Sequence, residues 1–203
     1  GQGPHIDSSH IEQLMNRLRR LESGDVLVLA GSIPAGISDN IYKDIMDMLK
    51  DKGVQIVVDA VKTGILEHFR LLFRQKSDRT NQHELGDIFN VTLNTQEEVI
   101  PYALELKKMG AVNVCVSMGG KGAILVADDG NVYKAKAPDG ILKNSVGAGD
   151  SLVAGFLSGW IEKKDYEYAF RKGVATGSAS AFSERLATNG EVNDLIGKVT
   201  IIR

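Results

Sequence analysis

Val26-Leu27-Val28-Leu29-Ala30-Gly31-Ser32-Ile33-Pro34 opens with five apolar residues and then breaks. A run of that length without alternation fits a strand buried on both faces, and Gly31 and Pro34 end it. Ile41, Ile45, Met48 and Leu49 follow at helical spacing, Gly53 closes that helix, and Val54-Gln55-Ile56-Val57-Val58 reads as the next strand. Upstream, Ser9-His10-Ile11-Glu12 has the form of a capping box. Ile11, Leu14, Met15, Leu18 and Leu21 then repeat at helical spacing, with an end near Ser23-Gly24. Helix, strand, helix and strand joined by short loops predict a parallel sheet with right-handed crossovers.

The pattern recurs downstream. Thr95-Gln96-Glu97-Glu98 is a second capping box, opening a helix to about Met109, and Val112 to Ser117 is a strand. Ala123 to Ala127 and Asn131 to Ala137 flank Asp128-Asp129-Gly130, a hairpin turn. Helices are predicted from Gly149 to about Trp160, from Tyr166 to Phe182 and near Asn193, before the apolar end Val199-Thr200-Ile201-Ile202. The alternation also calls for a strand between Leu71 and Thr80, where Arg74-Gln75-Lys76-Ser77-Asp78-Arg79 is too polar for a central one. No repeat or linker interrupts the chain, so the expectation is one α/β domain over residues 1–203.

Composition narrows the function. The 203 residues are 43% hydrophobic and 25% charged, which suits a globular chain with a substantial core. A net charge of -2 supplies no basic excess for a nucleic-acid backbone. A small phosphorylated ligand needs only a few local donors and stays open. Cys115 is the single cysteine, so an intrachain disulfide is impossible and a cytoplasmic location is expected. No apolar run approaches the ~20 residues of a membrane span. His5, His10, His68 and His83 have no partner at catalytic spacing, and no Cys/His cluster suggests zinc.

Three stretches carry chemistry. Asn144-Ser145-Val146-Gly147-Ala148-Gly149-Asp150-Ser151 leads into apolar Leu152, Val153, Phe156 and Leu157. Little side-chain bulk lets the backbone turn tightly into a helix, whose first amides and dipole form an anion site. Asp150 in that first turn would repel a phosphate but is placed to take a proton from an attacking hydroxyl. A plain glycine-rich helix start capped by Asp150 is the competing reading. Ser117-Met118-Gly119-Gly120-Lys121-Gly122 follows a strand and brings backbone amides within reach of phosphates. It is neither a Walker A motif nor a dinucleotide fingerprint, because a hairpin follows. Asn81-Gln82-His83-Glu84 places two oxygen-bearing side chains one helical turn apart, which suits magnesium through water or an ordinary polar helix start.

These residues resemble the phosphofructokinase B branch of the ribokinase-like superfamily. Its Gly-Ala-Gly-Asp helix start matches Gly147, Ala148, Gly149 and Asp150, its Asn-x-x-Glu motif matches Asn81 and Glu84, and its Ser-x-Gly-x-x-Gly loop matches Ser117, Gly119 and Gly122. The resemblance implies Asp150 as catalytic base, amides of Gly147 to Gly149 as an anion hole, and Ser117, Gly119 and Gly122 at the ATP phosphates. It also implies Asn81 and Glu84 in magnesium and phosphate placement, with Glu84 reaching Mg2+ through water. Asn144-Ser145-Val146 resembles the 1-phosphofructokinase subgroup. Gly31-Ser32-Ile33-Pro34-Ala35-Gly36 resembles a loop shared with tagatose-6-phosphate kinases, and Ser178-Ala179-Ser180-Ala181-Phe182 their helix beside the adenine.

The implied fold is a three-layer α/β/α arrangement with a mainly parallel central sheet. The family's N-terminal strands and β lid are expected to be absent from this chain, with the lid often forming a dimer contact in relatives. Arg79-Thr80-Asn81 stands where the family has Lys-Pro-Asn after an apolar strand. The implied reaction is ATP-dependent phosphorylation of a ketose phosphate, foremost fructose 1-phosphate, with tagatose 6-phosphate next and fructose 6-phosphate third. A nucleotide-binding piece without turnover and a Rossmann oxidoreductase are the alternatives.

Overall fold

The structure is a computed structural model that describes residues 6–31, 33–34, 36–59, 71–72 and 81–203. The helices are α1 (Ser8–Leu18), α2 (Ile41–Leu49), α3 (Asn81–Phe89), α4 (Gln96–Lys108), α5 (Ala148–Lys163), α6 (Tyr166–Ala181) and α7 (Asn189–Ile196). The strands are β1 (Val26–Ala30), β2 (Gln55–Asp59), β3 (Leu71–Leu72), β4 (Asn113–Ser117), β5 (Ala123–Val126), β6 (Val132–Lys136) and β7 (Thr200–Ile202). They form one seven-stranded sheet in sequential order, parallel from β1 to β4 and antiparallel from β4 to β7. Parallel β1 and β2 are connected through α2, and β3 and β4 through α3 and α4, as crossovers require, whereas β5 and β6 need only the turn at Asp129-Gly130. The strand expected between Leu71 and Thr80 is present as β3 at Leu71–Leu72, and 73–80 lies outside the described residues.

Successive strand residues point to opposite faces, and the two faces belong to two separate cores. Ile56 and Val58 of β2, Val114 and Val116 of β4, and Ile124 and Val126 of β5 pack with Ile45 and Leu49 of α2 and Val99, Ala103 and Leu106 of α4. Val57, Cys115 and Leu125, one residue out of step, pack with Phe156 of α5 and Phe170, Val174 and Ala175 of α6. The central strands β2, β4 and β5 are buried on both sides between two helical layers, the expected three-layer arrangement, whereas edge strand β1 leaves Val28 43% exposed, so the two-sided burial expected of Val26–Ala30 is not found. Burial on both sides explains why β4 and β5 read as continuous apolar runs.

Caps refine the sequence reading. Asp7, not Ser9, caps α1: its carboxylate accepts from the His10 amide at 3.1 Å and from the Ser9 hydroxyl at 2.7 Å. The helix ends at Leu18, earlier than the apolar spacing predicts, because the chain turns at Arg19–Arg20 and Leu21 packs on the core from outside the helix. The second predicted box is present at α4, where the Thr95 hydroxyl accepts from Glu98 N at 3.2 Å and Glu98 reaches back to the Thr95 amide at 3.3 Å.

On the far face, α5 and α6 lie against each other through small residues. A Cβ on Gly159 would stand 2.8 Å from the Ala169 Cα, and one on Gly177 2.8 Å from the Ala148 carbonyl oxygen. These are backbone atoms and cannot swing away. Gly159→Val is therefore expected to destabilise the protein by about 1–3 kcal/mol despite valine's better helix propensity. Chemical denaturation measures this, and an unchanged unfolding midpoint would contradict so close an approach.

Candidate active site

Parallel strands place their C-terminal ends at one edge of the layer, where α/β proteins bind ligands. Ala30 of β1 stands beside Asp59 of β2 in register, and the Gly31 amide donates to the Asp59 carbonyl at 3.0 Å. The hydroxyl of Tyr42, in the first turn of α2, reaches back to the carbonyls of Ala30 at 2.9 Å and Gly31 at 3.2 Å. The start of α2 thereby ties down the loop that follows β1, whose Ser32 and Ala35 lie outside the described residues.

Asp59 has 1% of its surface exposed. A carboxylate that deep ionises only where hydrogen bonds or positive charge meet it. Burial first, and then the neighbouring Asp59, push the pKa of both Tyr42 and the buried Cys115 thiol above their ordinary values. Tyr42 therefore remains a hydroxyl donor, and Cys115 an inert core thiol. Sequence reasoning missed Asp59. The available signal was a carboxylate closing the apolar run Ile56 to Val58, at the end where ligands bind.

The start of α5 is built by the segment before it. The amides of Lys143 and Asn144 both donate to the Ala181 carbonyl, at 2.9 and 3.1 Å. The Asn144 side chain then accepts from Val146 N at 3.0 Å, an Asx turn that bends the chain toward the helix. Gly147 caps α5 in the left-handed region at φ 80°, without a side-chain cap. Ala148 N donates to Ser145 O at 3.2 Å, and Ser151 N to Gly147 O at 2.9 Å. Gly149 is buried, whereas Asp150 is exposed as the third helical residue. Asp150 is thus not the N-cap of α5.

The end of α6 packs against this turn. Gly177 meets Ala148, and the Ser180 hydroxyl donates to the Ser151 hydroxyl at 2.8 Å while accepting from Ala187 N at 3.0 Å. Half-buried Ser178 lies in the same turn of α6. The structure therefore brings Gly147, Ala148, Gly149, Asp150 and the Ser178 turn into one neighbourhood.

Ser117, Gly119 and Gly122 form a second group at the end of β4. Three backbone bonds close the loop: Met118 N to Gly122 O at 2.7 Å, Lys121 N to Met118 O at 3.1 Å and Gly122 N to Gly119 O at 2.9 Å. Gly122 has φ 92°, and a Cβ there would lie 1.9 Å from the Ala135 carbonyl oxygen. Only glycine lets the loop lie so close to β6. The exposed Gly119-Gly120 peptide forms its outer rim. Asn81 and Glu84 form a third group on the first turn of α3; their side chains lie outside the described residues. Among the described residues, no group of three or more His, Cys, Asp or Glu side chains converges as a metal centre.

Residues 3–191 match the pattern of the pfkB family of carbohydrate kinases. The chain belongs to that family. Similarity to other pfkB proteins is extensive. Over 203 residues the chain is 40% identical to a Bacillus subtilis (strain 168) 1-phosphofructokinase, covering 100% of this chain and 66% of that protein. It is 27% identical over 193 residues to a Staphylococcus epidermidis tagatose-6-phosphate kinase, covering 94% of this chain and 61% of the relative. Its fold matches Escherichia coli phosphofructokinase-2 in complex with fructose-6-phosphate at a TM-score of 0.85 and 26% identity, covering 97% of this chain and 63% of that one. The chain thus spans less than two thirds of the length of these relatives. No described helix is long and apolar enough to cross a membrane.

Gly147→Ala forces a Cβ into the left-handed region and, at 2.8 Å, against Leu186 Cδ2. Leu186 is 66% exposed and can turn aside, so the backbone term dominates. The expected loss is about 1–2 kcal/mol of stability in urea denaturation; a neutral result would show that the α5 cap does not need glycine.

Proposed function

We propose that this chain carries the nucleotide-binding and phosphoryl-transfer part of an ATP-dependent ketose-phosphate kinase, with fructose 1-phosphate as acceptor and fructose 1,6-bisphosphate as product. The observation that carries this reading is the first turn of α5. An exposed carboxylate, Asp150, stands three residues inside a helix whose cap is a left-handed glycine, so a proton acceptor and a cluster of backbone amides share one turn. The 1-phosphofructokinase relative sets the choice of acceptor, and the tagatose-6-phosphate kinase relative makes tagatose 6-phosphate the second candidate.

In this reading Asp150 accepts the proton of the acceptor hydroxyl as its oxygen bonds to the γ-phosphorus of ATP. The bond to the bridging oxygen breaks and ADP leaves. The Gly147-Ala148-Gly149 turn, at the positive end of the α5 dipole, faces the charge on the transferred group, with Ala148 N held to Ser145 O and shaping the turn. Ser117, Gly119 and Gly122 line the nucleotide phosphates, and Ser178 belongs to the adenine side. Positioning and electrostatics supply most of the acceleration.

Magnesium fits a site of this kind, because it is commonly held by one or two carboxylates, waters and the substrate's own phosphates rather than by a protein cage. Glu84, through water, is the proposed ligand, and Asn81, one turn before it on α3, takes part in placing the phosphates. Bound magnesium would supply charge neutralisation at the β- and γ-phosphates. A homodimer of the full-length protein and a cytoplasmic location belong to the same proposal; the related Escherichia coli phosphofructokinase-2 has a tetrameric inhibited form.

A coupled ADP-release assay on this chain, and on a version extended to the length of its relatives, tests the reading with fructose 1-phosphate, tagatose 6-phosphate and fructose 6-phosphate in turn. Turnover should be highest with fructose 1-phosphate. Asp150→Asn should lower kcat by about 10²–10⁴-fold while ATP binding persists. No ADP release with any of the three acceptors, from either version, would sink the sugar-phosphate assignment.

A further inference from the structure

Gln96 is the first residue of α4, and its place inside the capping box does not explain its side chain. The Thr95–Glu98 box is complete without it. The half-buried Gln96 amide turns away from its own helix and inserts between three carbonyl groups. Nε2 lies 2.9 Å from the Lys121 oxygen, 2.9 Å from the Ala135 oxygen and 3.5 Å from the Ala123 oxygen. Carbonyls only accept, so the group facing them must be the NH2 end, and its two hydrogens match the two short contacts.

The three carbonyls belong to different pieces of structure. Lys121 is in the loop after β4, while Ala123 and Ala135 are cross-strand partners in β5 and β6. The Ala135 oxygen is the same atom that a Cβ on Gly122 would strike. Gly122 thus lies over that carbonyl while Gln96 donates to it. With its carbonyl held by Gln96, the Lys121–Gly122 peptide has a fixed orientation, and its N–H closes the turn onto Gly119 O at 2.9 Å. The ammonium of Lys121 makes a second tie to the same helix entry, donating to Asn94 O at 2.8 Å. The loop's internal bonds draw on the amides of Met118, Lys121 and Gly122, leaving the exposed Gly119-Gly120 peptide as the part able to meet a ligand.

We infer that Gln96 is a positioning residue for nucleotide binding: its side-chain amide, donating to Lys121 O and Ala135 O, fixes the loop after β4 in the shape that presents its glycine amides to the ATP phosphates. The inference rests on the reading of Ser117, Gly119 and Gly122 as a nucleotide-phosphate loop. Gln96 does not touch the nucleotide; it acts through the Lys121–Gly122 peptide. Because donation is what matters, shape alone does not replace it. A carboxylate at this position would set negative charge against carbonyl oxygens and be worse than an apolar side chain of the same length.

The test measures KM for ATP and for the ketose-phosphate acceptor separately, with ATP titrations by calorimetry and thermal melts, for the parent protein, Gln96→Met, Gln96→Glu and Thr95→Ala. Gln96→Met should raise the KM for ATP about tenfold, and Gln96→Glu by more, with the acceptor KM within about twofold of the parent. Thr95→Ala weakens the same helix end without touching the loop, so it should lower the melting temperature and leave the KM for ATP unchanged. An unchanged KM for ATP in both Gln96 variants, a parallel rise in both KM values, or failure of both variants to fold would overturn the inference and leave Gln96 a brace of the fold alone. A parent protein that binds no ATP in the titration would instead remove the nucleotide reading on which the inference stands.

Discussion

Burial of the central sheet on both faces is the constraint on which the rest of this structure depends. Val57 faces one helical layer while Ile56 and Val58 face the other, and the same division runs through β4 and β5. Neither set can be exposed without opening a core, so strand register is fixed, because a slip of one residue would exchange the two faces. Fixed register in turn aligns the ends of β1, β2 and β4. The residues at and just past those ends, Asp59, Gly31 and the Ser117 loop, share one rim without further design.

Polar side chains convert that rim into fixed loops. Tyr42 anchors the loop after β1 through two carbonyls, Gln96 gathers the loop after β4 against β6, and Asn144 bends the chain into α5. Each of these bonds satisfies backbone carbonyls or amides that regular structure leaves open. Two of these side chains arrive from neighbouring helices, and Asn144 acts within its own segment. Glycine permits the close approach at Gly122; Gln96 secures it.

The α5–α6 pair fixes the remaining half of the site. Close packing at Gly159 and Gly177, together with the buried Ser151–Ser180 hydrogen bond, leaves α5 little freedom to slide along α6. The first turn of α5 is thereby held where exposed Asp150 meets solvent. Preorganised dipoles of this kind stabilise developing charge without reorganising as the charge appears.

Much of this was legible in the sequence, for local reasons. The runs at Val26–Ala30 and Val54–Val58, the Thr95–Glu98 box, the Asp129-Gly130 turn and the glycines before Asp150 each express a short-range rule: periodicity, capping, turn chemistry or steric freedom. Those rules determined the order of helices and strands and pointed to the segments after β1, after β4 and before α5. Tertiary structure decided what depends on neighbours distant in sequence. Asp7 displaced Ser9 as the cap of α1, because either side chain can cap and only the path of the chain selects one. Asp59 became a buried carboxylate because β2 is enclosed on both sides. Gln96, read as part of a cap, came to serve residues 25 and 39 positions away, because α4 packs across the start of β5 and the end of β6. Sequence specifies contacts along one helix or strand; a side chain that bridges three elements acquires its role only when the sheet brings them together.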